Sequence, residues 1–315
     1  MKKYSRRLGG RKDMSYLRIT KTLSALAIAA FVATLPFATI ASAQALSPFS
    51  QTGPDTSALN WAGYVATGGT YTSVSGSWVV PTVQTNSSEN VADATWVGIG
   101  GVTSTDLIQA GTEAIPNSQG DLVYQAWYET LPQDSTAVPL SISPGDAVSV
   151  SITEIGQNRW EISFDNATTG KTYETSVNYA SSLSSADWIE EMPIEIGGVI
   201  GLDDFGTIQF TSGYAIKNGQ VVTIQSAGAT ALTMDNSQGA VVATPSALGA
   251  NGSNFSVART NAPSTPLALA GVGISAVAGP ASPYIYVSSG GYSTGGYTLH
   301  TRRARNGYHV IVRFQ

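Results

Sequence analysis

Two stretches hold the side chains best suited to chemistry. Ala186-Asp187-Trp188-Ile189-Glu190-Glu191-Met192-Pro193 places two adjacent carboxylates beside a tryptophan, and Asp106-Leu107-Ile108-Gln109-Ala110-Gly111-Thr112-Glu113 places a glutamine inside an apolar, glycine-flanked run. The first reads as a short strand ending before Pro193, because proline cannot continue a ladder. Strand side chains alternate, so Glu190 and Glu191 point to opposite faces, and one can enter a cleft while the other meets a packed layer or solvent. An acidic pair at a strand end also serves as a plain solvated edge. Gln109 needs partners for both its carbonyl and its amide, which backbone groups in a core supply as readily as a reaction site.

The rest of the composition narrows what chemistry is open. There is no cysteine, which excludes a thiol nucleophile and a thiolate metal site. The two histidines, His300 and His309, both lie in the last stretch. A Ser-His-Asp triad and a His-rich zinc site are therefore not expected, and no metal or cofactor is implied. An enzyme built on this chain works with carboxylates, amides or hydroxyls.

The first 43 residues read as a secretory leader rather than as part of the fold. Eight basic residues up to Lys21 precede an apolar run from Leu23 to Ile40, closed by Ala41-Ser42-Ala43. Basic region, apolar region and small-residue exit predict cleavage after Ala43 and a secreted product with no stable membrane association; an N-terminal membrane anchor is the alternative, since the run is nearly long enough to span. Ser5-Arg6-Arg7 also suggests twin-arginine export. The leader takes 8 of the 16 Lys+Arg and one of the 21 acids, leaving 8 bases against 20 acids, a net of −12. Protonation of the carboxylates would then leave only a few positive charges to repel one another, and few ion pairs to be lost, which suits an acidic medium. An acidic chain also argues against nucleic acid as a partner.

Short β-type runs fill the middle of the chain. Tyr71 to Val80, Ala94 to Ile99, Leu122 to Tyr128, Ala147 to Ile152, Trp160 to Phe164, Thr207 to Phe210 and Val221 to Ile224 are separated by Gly, Pro, Asn and Asp. No long amphipathic helical pattern is present, so the expectation is an all-β antiparallel sandwich or barrel. The expected organisation is a leader over 1–43, a polar lead-in over 44–57, one domain over 58–259, and a linker with a short C-terminal β or disordered extension over 260–315. That extension carries Arg302, Arg303, Arg305 and Arg313, half of the remaining bases. It could cover a cleft near neutrality by charge attraction, stabilise the fold as a β appendage, or tether the protein. Trp61, Trp96 and Trp127 stand beside Gly or Asn, which fits a wall that packs an extended substrate; burial in a sandwich core is the ordinary alternative. Asn86, Asn166, Asn251 and Asn254 begin N-x-S/T sequons.

Read in order, several of these pieces resemble the glutamic peptidases (eqolisins). They are Asn60-Trp61-Ala62-Gly63, Tyr71-Thr72-Ser73-Val74-Ser75-Gly76 with Val80-Pro81, Trp96-Val97-Gly98-Ile99, Gln109-Ala110-Gly111, Tyr124-Gln125-Ala126-Trp127-Tyr128-Glu129, Ala186 to Glu191, and Asp204-Phe205-Gly206-Thr207-Ile208-Gln209-Phe210. The resemblance spans residues 58–259. It implies a concanavalin-like jelly-roll sandwich and a secreted acid endopeptidase, acting on polypeptide substrates and needing no cofactor. It places the family's catalytic glutamine on Gln109 and its catalytic glutamate on Glu191. Trp61, Trp96, Trp127, Tyr128, Glu129 and Glu113 then fall to the cleft or its support. A glutamate near its ordinary pKa of about 4.3 can take a proton from water in mild acid, and an untitratable amide can hold an oxyanion at any pH. Three positions depart from the pattern. Gly100 stands where fungal members have Asp, so a supporting carboxylate is absent or comes from Glu113. Asp187 replaces a more usual Glu, and Glu190 an apolar residue.

The expected protein is a monomeric, secreted glutamic endopeptidase. A glycan-binding sandwich or glycosidase is the alternative, because aromatic clefts on this architecture also serve sugars. A non-catalytic surface protein is a third reading.

Overall fold

The computed structural model describes residues 56–84, 91–117, 119–193, 201–236 and 238–264, with the strand backbones 285–286, 297–301 and 310–314. The leader and the sequon at Asn86 lie outside the described residues, as do Arg302, Arg303 and Arg305. No helix occurs among the described residues. In chain order the strands are β1 (Thr56–Ala58), β2 (Trp61–Thr67), β3 (Tyr71–Val79), β4 (Val91–Gly100), β5 (Leu107–Pro116), β6 (Leu122–Thr130), β7 (Thr136–Ser141), β8 (Ala147–Gly156), β9 (Arg159–Asn166), β10 (Lys171–Asn178), β11 (Ser185–Glu191), β12 (Gly201–Leu202), β13 (Thr207–Lys217), β14 (Gln220–Thr223), β15 (Thr230–Asp235), β16 (Val241–Pro245) and β17 (Phe255–Arg259). β18 (Ile285–Tyr286), β19 (Tyr297–Thr301) and β20 (Val310–Phe314) form a separate three-stranded sheet.

Two antiparallel layers face each other. The first runs β15, β2, β11, β4, β5, β6, β7 across its width. The second runs β14, β13, β3, β8, β9, β10. β13 joins them: Thr207 to Phe210 pair with β17 of the first layer's edge, and after a register shift Tyr214 to Lys217 pair with β3. A bulge lets one strand turn the corner between two packed sheets.

Burial explains which strands read cleanly from sequence. β8 alternates because Val148, Val150 and Ile152 enter the space between the layers while Ser149 is exposed. β4 and β11 do not alternate, because both their faces are covered. One face meets the inter-layer core of Trp78, Trp160, Trp188, Val97, Ile99, Ile152 and Phe210. The other carries a second apolar cluster of Trp61, Val65, Trp96, Leu107, Trp127, Ile189 and Leu232. Indole N–H groups tie the core together: Trp188 Nε1 donates to the carbonyl of Ser75 and Trp78 Nε1 to the Thr112 hydroxyl, both at 2.8 Å. The segment 260–264 at the start of the expected linker is stitched to the sandwich. Arg259 Nη1 donates to the carbonyls of Thr260 and Ala262, Asn236 Nδ2 to that of Pro263, and Ser264 Oγ to that of Leu202.

Candidate active site

The candidate residues sort by the two-residue period of the strands. β11 lies between β2 and β4, so its outer-face residues line up with theirs in rows across the layer. One row reads Trp61, Glu191, Ala94, Glu113, Gln125. The next reads Gly63, Ile189, Trp96, Gly111, Trp127, and the third Val65, Asp187, Gly98, Gln109, Glu129. Gln109 and Glu191 thus share a face but stand in different rows, with the Trp96 row between them.

Trp96 spans that separation. Its Nε1 donates to Glu191 Oε2 at 2.7 Å. The far edge of its ring lies over Gly98, where an added Cβ would come within 2.9 Å of Trp96 Cζ3. Gly98 is the residue paired with Gln109. Gly111 lets β5 lie close against β4, since a Cβ there would sit 2.1 Å from the Thr95 carbonyl and 2.6 Å from Trp96 Cβ. With no side chain at Gly98, the indole reaches from the glutamate's row to the glutamine's.

Glu191 is held at both oxygens. Asn60 Nδ2 donates to its Oε1 at 3.1 Å, opposite the Trp96 bond, and the Asn60 carbonyl accepts the N–H of Met192 at 2.9 Å. One asparagine just before β2 therefore fixes both the side chain and the end of the strand carrying it. Gln109 Nε2 donates to Glu129 Oε2 at 2.7 Å, while its Oε1 has no partner among the described residues. Gln125 Nε2 donates to Glu113 Oε1 at 2.6 Å. Glu191, Gln109 and Glu129 are all buried, and in such a setting fixed hydrogen bonds act more strongly than in water.

Of the expected cleft residues, Trp61, Trp96, Trp127, Glu113 and Glu129 lie on this face. Trp61 and Trp96 meet edge to face with centroids 4.9 Å apart. Trp96 and Trp127 are fully buried, so they form a packed floor rather than an open wall. Tyr128 is not on this face. Strand alternation turns it away from Trp127 and Glu129, and it packs on the inter-layer core. The solvated-edge reading of the acidic pair also fails, since Glu190 and Glu191 are 0% and 1% exposed.

The position beside Gly100 belongs to Asp106 rather than Glu113. A Cβ at Gly100 would lie 3.1 Å from Asp106 Oδ2. Burial alone would raise the Asp106 carboxyl, but the main-chain N–H of Ser182 and the Ser104 and Ser182 hydroxyls outweigh it and hold the pKa low. Asn60, Gln125 and Asp106 are partners that reading the chain did not assign. Each was visible only as a polar residue next to a strand end or an aromatic, since pairing supplies their roles.

A profile of the Peptidase A4 family matches residues 59–259. Aspergillopepsin-2 of Aspergillus niger is 30% identical over 187 residues, covering 52% of this chain and 66% of the relative. Scytalidopepsin B of Scytalidium lignicola is 33% identical over 153 residues, covering 47% of this chain and 56% of the relative. The match thus spans under two thirds of either relative's length. Among solved structures, scytalido-glutamic peptidase with a transition state analog inhibitor aligns at a TM-score of 0.56 and 25% identity, over 64% of this chain and 98% of that one.

Proposed function

The chain belongs to the Peptidase A4 family, and from that premise we propose that it is a glutamic endopeptidase, hydrolysing polypeptides in acid through Glu191 and Gln109. Glu191, as carboxylate, takes a proton from a water molecule while the water oxygen bonds to the scissile carbonyl carbon. The carbonyl oxygen gains the negative charge and accepts an N–H from the Gln109 amide. Glu191 then returns the proton to the amide nitrogen, the C–N bond breaks, and acid and amine leave. Glu129 takes one amide N–H of Gln109, which orients the second, and Gln109 Oε1 is a free acceptor for the attacking water.

The observation that carries the reading is the support of Glu191. Asn60 and Trp96 address its two oxygens from one side each, and the same indole extends to the row of Gln109. Asn60 and Trp96 fix the base and Glu129 fixes the amide, and fixed groups are the preorganisation that acyl-group hydrolysis needs. With the leader reading of residues 1–43, the proposed setting is extracellular, and the proposed form is a monomer.

Digestion of a denatured protein at acidic and neutral pH tests this. Cleavage should occur in acid and survive chelators, thiol reagents, serine-directed reagents and pepstatin. Activity lost to a chelator and restored by zinc would overturn the mechanism.

A further inference from the structure

The other face of β11 holds a second group of carboxyls that the proposed chemistry does not use. Glu190 points between the layers, where it meets Asp93 of β4 and Asp203, the residue after β12. β12 pairs in parallel with β4, setting Gly201 against Val91 and Leu202 against Ala92, and the Asp203 N–H donates to the Ala92 carbonyl at 3.3 Å. Asp93, Glu190 and Asp203 are 1%, 0% and 2% exposed.

Their oxygens lack ordinary donors. Thr95 Oγ1 donates to Glu190 Oε2 at 2.8 Å. Asp93 Oδ1, Glu190 Oε1 and both Asp203 oxygens have no donor among the described residues. The Asp93 side chain is nevertheless within hydrogen-bonding reach of both Glu190 and Asp203. Two carboxylates only accept, so each such contact becomes a bond only when one partner carries a proton. We propose that Asp93, Glu190 and Asp203 form an acid-closed latch, in which protonated Glu190 and Asp203 both donate to Asp93 and fasten the end of β12 to β4 and β11, and which opens as the cluster ionises toward neutral pH.

The surroundings oppose ionisation. From β6, the Tyr124 hydroxyl accepts the Val83 N–H at 3.1 Å and lies close enough to Asp93 and Asp203 to feel their charge. Asp204 adds a neighbouring negative charge to Asp203. From β17, Arg259 attracts Asp203, but its Nε donates to the Asp203 main-chain carbonyl and its Nη1 to those of Val242, Thr260 and Ala262. β5 adds only the Ala114 main chain, directed at Asp93. Among the described residues no group of three or more His, Cys, Asp and Glu is disposed to hold a metal ion. Burial lifts the Asp93 carboxyl to about 6, and burial followed by the Asp93 charge raises Glu190 and Asp203 as well.

The sign of the effect follows. Folded carboxyls with raised pKa hold protons that the unfolded chain gives up once pH exceeds about 4. Their contribution is complete below that pH and is lost progressively as pH climbs toward the folded values. The latch does not rest on the peptidase reading, because its readout is stability. If the peptidase reading holds, the strand carrying Glu191 loosens with it.

The test is proton release on unfolding at about pH 6, where ordinary carboxyls are ionised in both states. The chain as purified should release about two more protons than the variant D93N/E190Q/D203N, and its Tm should fall more steeply from acid to neutral pH. Equal proton counts and equal Tm slopes would overturn the latch. If the triple variant does not fold, Glu190→Gln alone serves. It should release about one proton fewer than the parent and lose less Tm toward neutrality. A Glu190→Gln chain with the parent's count and slope would overturn the proposal as well.

Discussion

Glu190 and Glu191 are the same residue type, adjacent in sequence and equally buried, yet their surroundings are opposites. Glu191 receives N–H groups from Asn60 and Trp96. Glu190 receives one hydroxyl, from Thr95, and otherwise faces two carboxyls. A strand buried on both faces can present one carboxyl to donors and the next to acceptors, separated only by the backbone. Burial alone does not decide what a carboxyl does; the hydrogen-bond inventory of the facing rows does.

Swapping each glutamate for its amide should separate the two faces most strongly. Glu191→Gln is expected to reduce turnover to background with the circular dichroism spectrum unchanged, because no base remains to take the water proton. Glu190→Gln should keep acid turnover within a few-fold of the parent, its effect falling on stability near neutrality. The reverse outcome, with Glu190→Gln dead and Glu191→Gln active, would exchange the roles of the two faces.

Gln109→Ala sharpens the outer face further. Loss of a single oxyanion donor costs about 10²–10³ in rate, and the loss should appear in kcat rather than KM. A change confined to KM would make Gln109 a substrate-binding group instead. A smaller effect than that of Gln109→Ala is expected from Trp96→Phe, which keeps the aromatic floor and removes one N–H from Glu191. A hydrogen bond to a charged group contributes about 1.5–3 kcal/mol, so kcat/KM should fall by roughly 10–100-fold. A drop in Tm with kcat/KM unchanged would show Trp96 to be packing alone.

Much of the fold was legible. The alternation of β8, the turn residues between runs and the stop at Pro193 are local consequences of pleat and backbone sterics, and they gave strands close to those observed. β1, β2, β7, β10, β12, β15, β16 and β17 are not legible as strands in this way; most are short, and the inward residues of β10, Tyr173, Thr175 and Val177, mix polar with apolar. Tyr128, expected at the cleft with Trp127 and Glu129, is turned by strand alternation onto the inter-layer core.

The sequence by itself determined the chemical vocabulary: no thiol, two late histidines, an untitratable amide and an acidic pair on a short strand. It also determined that Glu190 and Glu191 diverge, because a period of two leaves no choice. Tertiary structure alone decided what each meets. Asn60 lies 131 residues from Glu191, and Thr95 lies 95 residues from Glu190. Asp203 reaches Asp93 only because β12 pairs with β4. Such partners depend on which strands lie side by side and in what register, and both are fixed by the packing of two whole layers rather than by any local preference.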